Sequence, residues 1–386
     1  MERSAELALG RRLASIDEHL YGRDAAPSTI AADVYHDAAR HAGELAALRA
    51  TPQVAVPASA LSGTGDFVTL DLLGTPLIVA RDDSGVHAMV NACAHRGATV
   101  RAEPCGSARL HTCRFHGWSY RLDGRLRSLA EPDRFGPAAA EPSGLRRVAC
   151  TQRHGLVWVA VDSPAETGVD VADWLTPELD TLFDGLGLAA MVPYRADTYE
   201  LACNWKMVTD GFLETYHIKY LHRSSVAPYV PSNRAMIDCF GPHFVAYLPK
   251  NRLLRQLAEQ PCDEWRVLDH LTMSATLVPG TVVQWNAGHV ELFAVRPHPT
   301  DPGRCSVVMT LLVPRQRADD DELWSRNWER LVATIPAEDF AIAEEVHANI
   351  AAGAVTQLHV GATERALVEH LTHVEAAIAR HADRDR

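Results

Sequence analysis

The sequence holds no apolar run approaching the length that spans a bilayer. It also has no excess of positive charge, with 37 Lys and Arg against 49 Asp and Glu and a formal net charge of -12. The first lack argues against a helical membrane span, and the second argues against a nucleic-acid partner. Residues 1–20 lack the unbroken apolar core of an export signal and mix charges among their apolar residues. They read as an amphipathic helix and predict a cytoplasmic protein. No internal repeat is present, and the only low-complexity stretches are short and Ala-rich. Six of the eight cysteines (Cys105, Cys150, Cys203, Cys239, Cys262, Cys305) follow no repeated spacing and read as buried free thiols of a reducing compartment. What remains is a globular composition, 47% hydrophobic and 22% charged over 386 residues, enough for two or three domains or one small and one large.

The other two cysteines fall in the most informative stretch, residues 91–120. It carries Cys93-x-His95 and Cys113-x-x-His116, with seventeen residues between His95 and Cys113. Two thiolates and two imidazoles on paired short loops form a metal site. Structural zinc usually takes Cys pairs or His pairs. One Cys and one His per loop instead suits a cluster in which one iron takes two Cys and the other takes two His, as in Rieske [2Fe-2S] centres. With HRG and HGW closing the two pairs, the spacing resembles the Rieske motif, and zinc is the alternative. Cys105 lies within the segment but is surplus, because four ligands complete such a site. Trp118 and Tyr120 are expected to pack beneath the cluster.

Along the chain, residues 1–49 read as helices that pack on a later domain. One ends near Tyr21 and Gly22. A second begins after Pro27-Ser28-Thr29 and runs through His41 to Leu48. From Gln53 the texture changes to short β-rich runs separated by Gly, Asp and Ser turns, a small all-β module over residues 50–164. Residues 165–386 form the larger domain. Within it, residues 205–221 read as one helix on which Asp210, Glu214 and His217 share a face. His217 and His222 are five apart, about 140° around an ideal helix, and reach one ion only if the helix ends or distorts near His222. Taken alone, such a pair reads as ordinary surface or core histidines. Strand-like runs over residues 230–314 predict an antiparallel sheet with helices on one face, an α+β domain. Its sheet would floor a pocket lined by Trp285, Asn286, Phe293 and Met309, each equally suited to plain core packing. Residues 318–382 read as helical, with His347, His359, His370, His373 and His381 mostly on a solvated face.

Asn204-Trp205-Lys206, then an acid three residues before His217-x4-His222, all downstream of the Cys/His loops, resembles the catalytic domain of the Rieske non-haem iron oxygenases, the ring-hydroxylating oxygenase α-subunit family. The likeness spans most of the chain. It implies a mononuclear Fe(II) held by His217, His222 and a distant carboxylate, a triad that leaves positions open for O2. Asp339 fills that place at the start of a helix after Pro336, with Glu338 as competitor, and Asn204 would lie near the iron. The resemblance also implies that Glu214 links an iron-bound histidine to a cluster-bound histidine of a neighbouring subunit in a homotrimer. Asp210 is the runner-up, or a carboxylate that orients a ligand. The family commonly has Gln where this chain has His347, a change expected to leave the metal untouched but to alter the pocket or the residues behind the ligands; a histidine on the helix surface is the favoured reading, and an additional metal ligand the alternative. Electrons would come from NAD(P)H through a ferredoxin or flavin reductase, and the substrate would be a small organic molecule. The GFLETYH segment looks like the single-component α-type enzymes and favours hydroxylation or oxidative demethylation, with ring cis-dihydroxylation as the alternative. A quaternary ammonium substrate would require an aromatic cage, for which Trp265, Trp285 and Phe293 are candidates. Rival readings are a Rieske electron-transfer protein and a zinc-stabilised binding protein. Whether a mononuclear iron binds separates them.

Overall fold

In the computed structural model, which describes residues 1–16, 26–135 and 144–384, the chain divides into two units: residues 48–174, and residues 1–47 together with 175–386. Helix α1 (Arg3–Ala14) buries Leu9 and Leu13. Its Gly10 meets Trp265 so closely that a Cβ would lie 2.9 Å from the ring. The helix end expected near Tyr21 and Gly22 lies outside the described residues. The helix expected directly after Pro27-Ser28-Thr29 starts later. Ser28–Ala31 is a strand, β1, paired antiparallel with Gln357–Val360. Thr29 and Ile30 are β-branched, and an available partner strand outweighs the capping signal. Helix α2 then runs Ala38–Arg49, and the Asp37 carboxylate accepts the Arg40 N–H at its start.

The unit of residues 48–174 is all-β. Strands β2 (Gln53–Pro57), β3 (Asp66–Leu72), β4 (Thr75–Asp82), β5 (Gly85–Val90), β6 (Cys105–Ser107), β10 (Arg147–Arg153) and β11 (Leu156–Pro164) form one antiparallel sheet in the order β2-β11-β10-β5-β4-β3-β6. Strands β7 (His111–Thr112), β8 (Ser119–Tyr120) and β9 (Leu126–Ser128) form a second. Phe67, Ile78, Met89, Trp118 and Tyr120 share a buried cluster with Cys93 and Cys113. The unit ends at Trp174, ten residues beyond the boundary expected at 164.

Helices α3 (Val171–Leu175) and α4 (Pro177–Leu186) lead to the larger sheet. Strands β12 (Met191–Leu201), β13 (Met236–Phe240), β14 (His243–Pro249), β15 (Leu271–Leu277), β16 (Thr281–Asn286), β17 (His289–Pro297) and β18 (Cys305–Pro314) lie in the order β12-β18-β17-β16-β15-β14-β13, all antiparallel. With α5 (Trp205–Asp210), α6 (Asn251–Glu259) and the C-terminal helices, this is an α+β domain.

Two helical expectations change. The helix read over residues 205–221 stops at Asp210, after six residues. Gly211 follows, and Phe212 and Leu213 close tight turns onto Thr209 and Asp210. The Glu214 carboxylate then takes the N–H groups of Tyr216 and His217, and a short 3₁₀ turn, His217–Lys219, follows. A carboxylate that satisfies local backbone donors competes directly with helix propagation. Asp339, in turn, does not start a helix. It sits inside a continuous helical run of α7 (Asp321–Thr334), a π-helical turn (Ile335–Phe340) and α8 (Ala341–Ala351). Pro336 lacks the N–H that a regular α-helical ladder needs there. The wider turn re-aims its side chains, as such turns often do at functional sites. Strand β19 (Gln357–Val360) and helix α9 (Arg365–Arg384) complete the chain.

Candidate metal centres and active site

The two Cys/His loops of the all-β unit are built alike. In each, the cysteine N–H donates to the carbonyl five residues on, Ala98 or Trp118. The N–H four residues on, of Gly97 or Gly117, returns to the cysteine carbonyl. The two glycines have φ of +75° and +71°, a region costly for any side chain. The repeated turn presents both thiols inward: Cys93 and Cys113 are buried and unpaired by disulfide. The His95 and His116 rings lie 4.7 Å apart on the outer side, with His116 exposed. Trp118 stacks on His95 at 4.9 Å, 7° from parallel. The Tyr120 hydroxyl lies 3.0 Å from the Cys93 sulfur and accepts the Ala94 N–H. Both aromatics therefore contact ligand positions, as expected. Two buried thiols with two outward imidazoles fit a Rieske cluster, whose irons divide sulfur and nitrogen ligands. Cys105 lies exposed on edge strand β6, on neither loop.

A bracket missed by sequence reading ties the two loops together. Asn91 holds the backbone of Val100 and Arg101, and Arg101 reaches the His111 ring and the Leu110 carbonyl. Burial, with the Arg101 charge beside it, pushes the His111 pKa down to about 4 and keeps the ring neutral.

In the other unit, His217, His222 and Asp339 converge, each offering one ligand atom, all within 4.8 Å of one another. Asp339 Oδ1 lies 3.2 Å from His222 Nε2 and 3.7 Å from His217 Nε2. Adjacent ligands on a metal with bonds of about 2.1 Å sit about 3 Å apart. The break in the helix after Asp210 is what lets the two histidines meet. The second ring nitrogen of each is held by a carboxylate: Nδ1 of His217 by Glu214, and Nδ1 of His222 by Glu338, which also accepts from Ser225 Oγ at 2.7 Å. Such partners fix the tautomer that leaves Nε2 free for a metal. Glu338, the competitor for the third ligand, thus orients a histidine instead. The Asp339 Oδ2 atom is buried without a protein partner. Burial by itself would lower His222, but the Asp339 and Glu338 carboxylates outweigh it and raise its pKa, so the cluster favours positive charge. These observations fit a metal cation.

Other expected residues fall elsewhere. Asn204 caps α5, accepting from Lys206 N–H, and donates to the Pro302 carbonyl; it is fully buried and is not among the residues lining the cavity beside the triad. Asp210 lines that cavity, but its carboxylate accepts from Tyr35 Oη at 2.7 Å and lies 3.4 Å from the fully buried His370. Lys206 is held by Glu44 of α2 at 2.7 Å, with both side chains buried. His347 is buried against Gly303, and His370 has no exposed surface, so two of the five C-terminal histidines leave the expected solvated face.

The triad opens on a cavity of about 1450 Å³. Of the four expected lining residues only Asn286 faces it. Trp285, Phe293 and Met309 are core, and Trp265, packed under Gly10, does not line it either, so the suggested aromatic cage does not form. Sequence reading missed the polar floor: Lys250, Thr272, Ser274, Gln284, His289 and Glu291. Its signal was the polar residues at every second position in LTMSATL, TVVQWN and HVELFAV, which otherwise read as apolar strands.

Comparison with known proteins matches two family models, the Rieske [2Fe-2S] domain over residues 51–146 and the ring hydroxylating alpha subunit (catalytic domain) over residues 188–380. The anthranilate 1,2-dioxygenase large subunit of Acinetobacter baylyi is 29% identical over 265 residues, covering 67% of this chain and 51% of that one. The glycine betaine monooxygenase oxygenase subunit of Chromohalobacter salexigens is 32% identical over 167 residues, 41% of this chain and 35% of that one. The chain thus spans about half or less of the length of these curated relatives. Among solved structures, a quaternary ammonium Rieske monooxygenase superposes with a TM-score of 0.76 at 19% identity, covering 94% of this chain and 100% of that one. Naphthalene 1,2-dioxygenase from Rhodococcus sp. does so with 0.72 at 16%, covering 98% and 99%. At these identities the superpositions speak for the fold.

Proposed function

The chain belongs to the ring-hydroxylating oxygenase α-subunit family, with a Rieske [2Fe-2S] domain ahead of its catalytic domain, and on that premise we propose that it is a terminal oxygenase acting on a small organic substrate. The observation that carries this reading is the convergence of His217, His222 and Asp339 at a cavity, with Glu214 and Glu338 behind the histidines. A one-electron cluster together with a three-ligand Fe(II) supplies the chemistry of O2 activation. The chain's own residues hold the cluster (Cys93, His95, Cys113, His116), hold the iron (His217, His222, Asp339), and fix the tautomer of each iron-side histidine. A bare electron carrier would need the all-β unit alone.

Electrons come from NAD(P)H through a ferredoxin or flavin reductase. Glu214 links His217 to a cluster histidine of a neighbouring subunit in a homotrimer, a reading supported by the exposure of His116 and by the contact of Glu214 with the His217 ring. The eight unpaired cysteines suit a reducing compartment such as the cytoplasm. The reaction is hydroxylation or oxidative demethylation. Ring cis-dihydroxylation is the second reading, favoured by the dioxygenases among the relatives. The test is substrate-dependent O2 uptake driven by a generic reductase with NADH. The wild type is expected to consume O2 with product formed, and Asp339→Ala to form none while keeping a normal cluster spectrum. Unchanged product formation by Asp339→Ala would refute the assignment.

A further inference from the structure

The floor of the active-site cavity is a block of polar side chains on three neighbouring strands of the larger sheet. Strands β15, β16 and β17 each turn two polar residues to it. The strand register places Thr272 opposite Asn286 and Asn286 opposite His289. One step along, Ser274 lies opposite Gln284 and Gln284 opposite Glu291. All six line the cavity, and Lys250, the residue after β14, lines it beside them. Burying so many polar groups costs stability unless each is satisfied, which asks what satisfies them.

Glu291 is already satisfied. Gln284 Nε2 donates to it at 2.5 Å, His289 Nε2 lies 3.3 Å away, and the Asn286 side chain adds a third contact. Burial alone would raise its pKa, but these bonds outweigh burial and hold it ionised. Lys250 is not satisfied. Among the described residues its ammonium donates to the Asn286 side-chain oxygen at 2.7 Å, and Asn286 stands between it and Glu291. An ammonium has three donors, so two remain for the cavity. Burial destabilises the charged form of Lys250, with Glu291 only partly offsetting this. A second group is also incomplete: Ser274, 3% exposed, has a buried hydroxyl without a protein partner.

Thr272 Oγ1 already donates to Asn286 Oδ1 at 3.3 Å. We propose that Lys250, with the Ser274 hydroxyl on the same cavity wall, is the receptor for an anionic group of the substrate, a carboxylate or the like carried on an apolar body; this rests on the reading of the cavity as the oxygenase active site. The anion supplies the acceptors that the Lys250 ammonium and the Ser274 hydroxyl lack. The apolar remainder of the wall, including Phe212, Leu248, Leu331 and Phe340, takes the body of the molecule. Glu291, saturated by its three donors, holds the floor in register and does not contact the substrate.

The test is binding, not turnover. Iron-loaded protein is titrated by calorimetry with two shape-matched pairs that differ in charge, benzoate against benzamide and 3-phenylpropanoate against 3-phenylpropanamide. In wild type, at least one carboxylate is expected to bind roughly tenfold or more tightly than its amide, the size of a desolvated charge-assisted hydrogen bond. In Lys250→Met the ratio falls to about one with the amide's affinity unchanged, and Lys250→Arg retains most of the preference. Lys250→Gln serves as a second neutral variant, and cluster absorbance confirms folding of each. Equal affinity within both pairs in wild type, no measurable binding of either carboxylate, or a tenfold preference that survives in both neutral variants would overturn the proposal. The last result would place the carboxylate on the metal instead. Because turnover is not measured, a protein that prefers carboxylates yet oxidises nothing would refute the oxygenase reading alone.

Discussion

At the scale of single residues, the site is organised by which nitrogen of each histidine is left free. Glu214 and Glu338 occupy the Nδ1 atoms of His217 and His222, so both Nε2 atoms face Asp339. Removing such an orienting partner typically costs 10–100-fold in metal affinity. Glu338→Ala is therefore expected to weaken iron binding by about that factor while leaving the cluster spectrum unchanged, as read by iron titration of the metal-depleted protein. Unaltered affinity would mean that His222 needs no such support. At the Rieske loops, the Tyr120 hydroxyl beside the Cys93 sulfur would stabilise the more electron-rich reduced state of a bound cluster. A hydrogen bond of about 1 kcal/mol corresponds to about 40 mV for a one-electron couple, so Tyr120→Phe should lower the reduction potential by that order in voltammetry. The ligand residues themselves were legible in the sequence, because Cys-x-His and Cys-x-x-His loops and His-x4-His are local patterns. Their supports were not. Glu338 lies 116 residues from His222, and no local spacing connects them.

At the scale of elements, strand texture was legible wherever one face is apolar and the other is not, and the antiparallel sheet follows from it. Helix extents were less so. The apolar and acidic periodicity of residues 205–221 is helical throughout, yet Glu214 diverts the chain by taking the N–H groups of Tyr216 and His217. Ser28–Ala31 likewise becomes a strand because Gln357–Val360 is there to pair with it. The π-helical turn that aims Asp339 leaves a sequence trace only in Pro336. The short helix α5 is anchored by a buried charge pair, Lys206 with Glu44, which also accepts from Trp205 Nε1 and Arg40 Nε. Breaking such a pair from one side typically costs about 3–5 kcal/mol, because the other charge stays buried. Lys206→Met is expected to destabilise the catalytic unit by that amount in urea titration, and Lys206→Met with Glu44→Leu to recover much of it. A neutral effect of the single change would show that Glu44 is fully satisfied by Arg40 and Trp205.

At the scale of the whole molecule, the proposed function gives one chain two iron sites with separate duties, and no helix among the described residues is long and apolar enough to cross a membrane. If Glu214 links His217 to the cluster of a neighbouring subunit, Glu214→Gln should keep both sites filled and lose coupled turnover by at least tenfold. Mixed oligomers of Cys93→Ser and Asp339→Ala chains should regain activity that neither has alone. Full activity of Glu214→Gln would remove it from the electron path. The polar floor of the cavity was present in the sequence as alternating residues on three strands, but only the strand register brings them together. The most direct test of a chain with two iron sites is a count of iron and acid-labile sulfide on anaerobically purified protein, with an EPR spectrum after reduction. About three irons and two sulfides per chain with a Rieske-type signal are predicted, falling to two irons in Asp339→Ala. About two irons and two sulfides in wild type, with none gained on adding Fe(II), would contradict it and leave an electron carrier.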